Sequence, residues 1–254
     1  MIYLFGDSWG FSYKQIEPQP KDRDSQVFDG QDLACLMSTI SNIQVCNLAK
    51  RGMDLSTIIT RISESKDLFV PGDTIIVLQT EPFRSYFVKW YHREIINHNI
   101  NIESPLSYID VCEQKILKTF YHKLSVLQKM FNINVILHGG LSKLNHNIAT
   151  SMGLTCTQYS STEIIAKHLG IDIQDNYFIG HWYTLANHEH LKENYENYIK
   201  EQDFLLIEHA TETKRKFWAE NPDYFTHDHT TEKGSRLVAE YLVNILETHN
   251  LLKH

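Results

Sequence analysis

Four short apolar runs constrain this chain more than any other feature: Ile2 to Phe5, Ile43 to Leu48, Thr74 to Leu78 and Asn134 to Leu137. Each has the length of a strand rather than a helix, and the third is rich in β-branched residues. Between and after them lie apolar stripes at helical spacing. Leu33, Leu36 and Met37 predict a helix over Gln31 to Ile40. Leu55, Ile58, Ile59 and Ile62 predict a second, capped by Asp54. The stripe Ile109, Cys112, Ile116, Phe120, Leu124, Leu127 and Phe131 predicts a long third helix from about Tyr108. Strands that alternate with helices argue for a mainly parallel sheet covered on both faces. Such sheets bind ligands beyond the carboxyl ends of their strands, so residues just past each run are where chemistry is expected.

Composition narrows the function classes. The 254 residues suit one large α/β domain or two small ones, and 42% hydrophobic content supports a sizeable core. A net charge of −7 argues against a nucleic-acid partner. The nearest basic cluster, Lys214-Arg215-Lys216, reads as an exposed helix face. Cys35, Cys46, Cys112 and Cys156 form no CxxC and read as buried free thiols of a reducing compartment. The N-terminus carries no basic region followed by a long apolar stretch, and no apolar run has the length of a bilayer span. The expectation is a cytoplasmic protein with no membrane partner.

The first run stops at Gly6-Asp7-Ser8. A serine on that turn can present its hydroxyl outward and its own N–H to a developing oxyanion. This motif, close to the N-terminus and directly after a strand, resembles the first block of the SGNH/GDSL hydrolases, a family of serine esterases, lipases and carbohydrate deacetylases. At the other end, His229 precedes Gly234 by the family's spacing, just before a helix with the stripe Leu237, Val238, Tyr241, Leu242, Ile245 and Leu246. Thr230 or Thr231 can cap that helix.

The resemblance implies a single domain over residues 1–254 with a three-layer α/β/α fold, a flavodoxin-like sandwich around a mostly parallel sheet. It implies Ser8 as nucleophile and His229 as base, with oxyanion donors from the N–H groups of Ser8 and Gly52. The sequence departs from the family in two places. Glu81 stands where an Asn donor is expected, and an ionised Glu offers acceptors only. Gln79 or Arg84 is then the candidate third donor, unless the two N–H groups act alone; Arg84 is also placed to pair with Glu81. Thr226 stands where the family has its orienting Asp. Asp228 is the candidate acid, through a bent backbone, with a backbone carbonyl or the Thr226 hydroxyl as alternatives. His227 is a second candidate base.

The implied substrate is a small ester or acylated carbohydrate, with no cofactor. A catalytically weakened scaffold that binds glycans or supports an assembly is the alternative. Segments 85–105 and 175–220 read as insertions near the active edge, the first rich in aromatic and His residues. The Pro-containing stretch from Lys14 to Gly30 argues against regular structure. His181, His188 and His190 invite a zinc reading, but no further ligand set accompanies them, so no metal is expected. His138 at the end of the fourth run reads as a histidine satisfied by backbone groups.

Overall fold

A computed structural model describes residues 1–14, 27–28, 32–82, 105–178, 201–226 and 229–252. In chain order the elements are β1 (Ile2–Phe5), β2 (Tyr13–Lys14), β3 (Val27–Phe28), α1 (Leu33–Ser41), β4 (Val45–Asn47), α2 (Leu55–Glu64) and β5 (Thr74–Gln79). There follow α3 (Pro105–Phe131), β6 (Asn134–Gly139), α4 (His146–Ser151), β7 (Thr155–Cys156) and α5 (Ser161–His168). The last elements are α6 (Glu201–Glu220), β8 (Phe225–Thr226), β9 (His229–Thr230) and α7 (Glu232–Thr248).

The main sheet has five strands in the order β4-β1-β5-β6-β7, every neighbouring pair parallel. Counted along the chain this is 2-1-3-4-5, the flavodoxin-like order, and it places β1 centrally with its carboxyl end at the reversal of strand order. Strand alternation sends Tyr3, Phe5, Ile75, Val77, Val135 and Leu137 to one face, where α2, α3 and α4 cover them. It sends Ile2, Leu4, Ile76, Leu78 and Ile136 to the other, against α1, α5, α6 and α7. This is a three-layer α/β/α fold. Burying each such Leu, Ile or Phe is worth about 1.5–3 kcal/mol, so the two apolar layers hold the strands in register.

Local chemistry sets the helix starts. Asp32, Asp54 and Thr231 cap α1, α2 and α7 through side-chain acceptors. Ser160 and Glu163 form a capping box on α5.

Several expectations are corrected. Within the stretch read as irregular, Tyr13–Lys14 pairs antiparallel with Val27–Phe28. The short strand β7 is too brief to show a period. Cys35 is exposed, while Cys46 and Cys156 are partly buried; all three are free thiols. Lys214, read as exposed, is only 1% exposed, whereas Arg215 and Lys216 do face solvent. Nearly all of segment 85–105 and residues 179–200 of the second segment lie outside the described residues, while Glu201–Glu220 is helical. No helix among the described residues is long and apolar enough to cross a membrane.

Candidate active site

The nucleophile turn is built at the carboxyl end of β1. Gly6 permits it, because a Cβ there would lie 2.6 Å from the Leu78 Cβ on β5. The chain after β4 runs alongside and pins this turn, with Leu48 N donating to Leu4 O at 2.8 Å and Lys50 N to Gly6 O at 3.0 Å. Residues 8–10 form a short 3-10 turn whose cap is Asp7, accepting from Trp9 N at 3.0 Å. The Asn47 amide ties this turn to its surroundings, donating to Gly10 O at 3.2 Å and to Asp32 at 2.9 Å. Ser8 therefore sits on a braced turn and is only 3% exposed.

His229 comes from the far end of the chain. The pair β8–β9 sets Thr226 opposite His229. α7 then starts close behind, because Gly234 leaves no Cβ to strike the Tyr224 carbonyl, which would lie 2.4 Å away. His229 lies against Trp9 with ring centroids 6.3 Å apart. Its Nε2 is 2.6 Å from Ser8 Oγ, across a sequence separation of 221 residues. His229 is buried, Nδ1 included. A hydroxyl at hydrogen-bond distance from an imidazole nitrogen is the arrangement for proton transfer from serine.

The other expected residues divide. Gly52 follows β4 in the loop beside the Ser8 turn, exposed, with φ +75°. Gln79 ends β5 and is buried, its Oε1 accepting from Tyr121 on α3 at 2.5 Å. Glu81 is also buried. The Thr80 hydroxyl lies 3.0 Å from Glu81 Oε2 and 2.9 Å from Asp7 Oδ2. One hydroxyl thus joins the residue at the Asn position to the cap of the nucleophile turn. Arg84, His227, Asp228 and the histidines at 181, 188 and 190 lie outside the described residues. Thr226 is buried next to the dyad. Among the described residues no group of three His, Cys, Asp or Glu side chains is placed to hold a metal.

His138 is not satisfied by backbone groups but by two hydroxyls, Thr157 at Nδ1 and Ser161 at Nε2, at 2.8 and 2.9 Å. Burial pushes its pKa down to about 3, so it is a neutral interior residue rather than a substrate contact. Lys214 is the one buried cation among the described residues. Burial pushes it down to about 7, and the Glu81 carboxylate acts in the opposite direction.

Sequence reasoning missed Thr80, Asn47, Tyr121 and Lys214. Tyr121, three residues before Leu124, lies on the same buried face of α3, and its hydroxyl among apolar neighbours was the available signal.

The sheet order, with Ser8 beyond the first strand and His229 before the last helix, agrees with the three-layer fold and the Ser–His order that the SGNH/GDSL resemblance implies. Among solved structures, the chain is similar to an acetyl xylan esterase from the rumen bacterium Butyrivibrio proteoclasticus, at 11% identity and a TM-score of 0.46. That alignment covers 99% of this chain and 64% of the other, so the chain spans under two thirds of that protein's length. It is also similar to a member of the lipolytic protein G-D-S-L family from Veillonella parvula DSM 2008, at 16% identity and a TM-score of 0.39, over 97% of each chain. No protein-family model matches the sequence, and no curated protein matches it.

Proposed function

We propose that the chain is a serine ester hydrolase. The observation that carries this reading is the 2.6 Å approach of His229 Nε2 to Ser8 Oγ. Ser8 Oγ attacks the ester carbonyl carbon as its proton passes to His229, and the carbonyl electron pair moves to oxygen. The Ser8 and Gly52 N–H groups face that oxyanion. Collapse expels the alcohol, which takes the proton from His229, and leaves an acyl-enzyme. Water then repeats the cycle, giving its proton to His229 and releasing the acid. Asp228, beside His229 in sequence, is the proposed orienting acid.

The resemblance and the enclosure of Ser8 favour a short acyl group, acetyl on a carbohydrate being the leading candidate. The second reading is a binding scaffold with a weakened oxyanion hole. Glu81 favours it, because a carboxylate replaces the expected amide donor. Hydrolysis of p-nitrophenyl acetate by wild type, Ser8→Ala and His229→Ala, beside fluorophosphonate labelling, separates the two. The esterase gives turnover and labelling that both vanish in Ser8→Ala. Absent turnover and absent labelling in wild type would sink it in favour of the scaffold.

A further inference from the structure

The esterase reading leaves open what replaces the missing Asn donor, and the inference drawn here rests on that reading. The end of β5 runs directly beside the nucleophile turn. Phe5 pairs with Val77, the next residue Gly6 packs on Leu78, and Thr80 bonds Asp7. Gln79 has the parity of Ile75 and Val77, so its side chain projects to the face covered by α2, α3 and α4, where Tyr121 meets it. His229 comes from the opposite side, lying against Trp9, which belongs to the layer of α1 and α7. In acyl transfer the carbonyl carbon sits over the nucleophile oxygen, with the base on one side and the oxyanion donors on the other. Gln79 lies on the donor side.

Its amide polarity is set by a directional chain. The Tyr121 hydroxyl accepts from the Asn145 backbone N–H at 3.4 Å and donates to Gln79 Oε1 at 2.5 Å. The hydroxyl's one proton goes to the carboxamide oxygen, which holds that oxygen toward α3. The amide nitrogen is thereby turned away from Tyr121. Nε2 is fully buried and makes no hydrogen bond. Buried amide groups are nearly always paired, and leaving one unpaired costs stability. A donor held without an acceptor, on the last residue of β5 and on the face away from the base, is suited to a negative oxygen that exists only during reaction.

We infer that the Gln79 carboxamide is the third oxyanion donor, replacing the residue at position 81, and that Tyr121 is the positioning residue that aims it. Glu81, an acceptor turned toward Thr80, takes no part in the hole. The donor has moved two residues back along the chain, from the loop onto the last residue of the strand.

The test is the steady-state kinetics of p-nitrophenyl acetate hydrolysis in wild type, Ser8→Ala, Gln79→Met and Tyr121→Phe, with thermal unfolding of each. Gln79→Met keeps length and loses both donors. It is expected to lower kcat by about 100- to 1000-fold with KM nearly unchanged, because the interaction exists in the transition state only. Tyr121→Phe frees the amide to rotate and is expected to lower kcat by roughly tenfold, again without a matching change in KM. Wild-type kcat in Gln79→Met, in an enzyme whose turnover dies in Ser8→Ala, overturns the assignment and leaves the esterase reading standing. Wild-type protein that neither turns over nor labels at Ser8 overturns both. Should Gln79→Met fail to fold, Tyr121→Phe decides: an unchanged kcat overturns the assignment, and a lowered kcat at constant KM sustains it.

Discussion

At the residue scale, Thr80 connects more chemistry than its size suggests. Its single hydroxyl lies between Asp7, which caps the turn carrying Ser8, and Glu81, both buried. Replacing it by Val keeps the shape and removes the donor from between two buried carboxyl groups. Thr80→Val is expected to destabilise the fold by about 1–3 kcal/mol, read as a lower urea midpoint. It is also expected to lower turnover through the Ser8 turn. Thr80→Ser keeps the hydroxyl and should retain most of both; a Ser variant as impaired as the Val variant would mean that packing at this position, rather than the hydroxyl, carries the effect. Ser8, Gly52, Gln79 and His229 were legible as candidates because a turn glycine or a strand end marks each of them. Thr80 and Tyr121 were not, because a hydroxyl's partner is a matter of three-dimensional approach. Lys214 was misread for a related reason: two exposed basic neighbours, Arg215 and Lys216, disguised a buried position on the same helix.

At the element scale, the sheet was readable wherever a strand is continuous and apolar. β1, β4, β5 and β6 fall within or overlap the four runs, because a strand buried on both faces must be apolar at successive positions. β7 and the β2–β3 pair have two residues per strand, too few to carry a pattern. The elements meet tightly at the two glycines that frame the site, Gly6 and Gly234. Gly6→Ala would drive a methyl group to 2.6 Å from Leu78 Cβ, forcing β1 and β5 apart. Overpacking of this kind costs about 1–3 kcal/mol, so the variant is expected to unfold at lower urea and to lose turnover with it. By contrast, Thr231→Ala removes the α7 cap and the hydroxyl's bond to the Asp223 carbonyl, and should cost about 1–2 kcal/mol. Since α7 follows His229 immediately, a fall in kcat larger than that loss of stability explains would mean that the cap also aims the imidazole. Unfolding titrations run beside kinetics separate the two effects.

At the scale of the whole molecule, two buried bases give stability a definite pH dependence. His138 has a folded pKa of about 3 against an unfolded 6.5. The unfolded chain therefore binds the extra proton between those values, and stability is fully present above about 6.5 and lost as pH falls toward 3. Lys214 has a folded pKa of about 7 against 10.5, so the same sign holds in a higher window. Its contribution is complete above 10.5 and declines as pH falls to about 7, below which the ammonium is held charged in the interior. Each group imposes a slope of up to about 1.4 kcal/mol per pH unit within its window. Urea unfolding across pH should thus show stability rising from acid through neutral to mildly alkaline conditions. His138→Gln should flatten the acid limb alone, leaving the alkaline one as in wild type. Lys214→Met should raise stability at neutral pH and below and gain progressively less as pH climbs, since a buried cation is replaced by an apolar chain of similar length. Glu81 opposes that gain, because removing Lys214 leaves its carboxylate without that neighbouring positive charge. A Lys214→Met variant less stable than wild type at every pH would therefore mean that the attraction to Glu81 outweighs the desolvation of the ammonium.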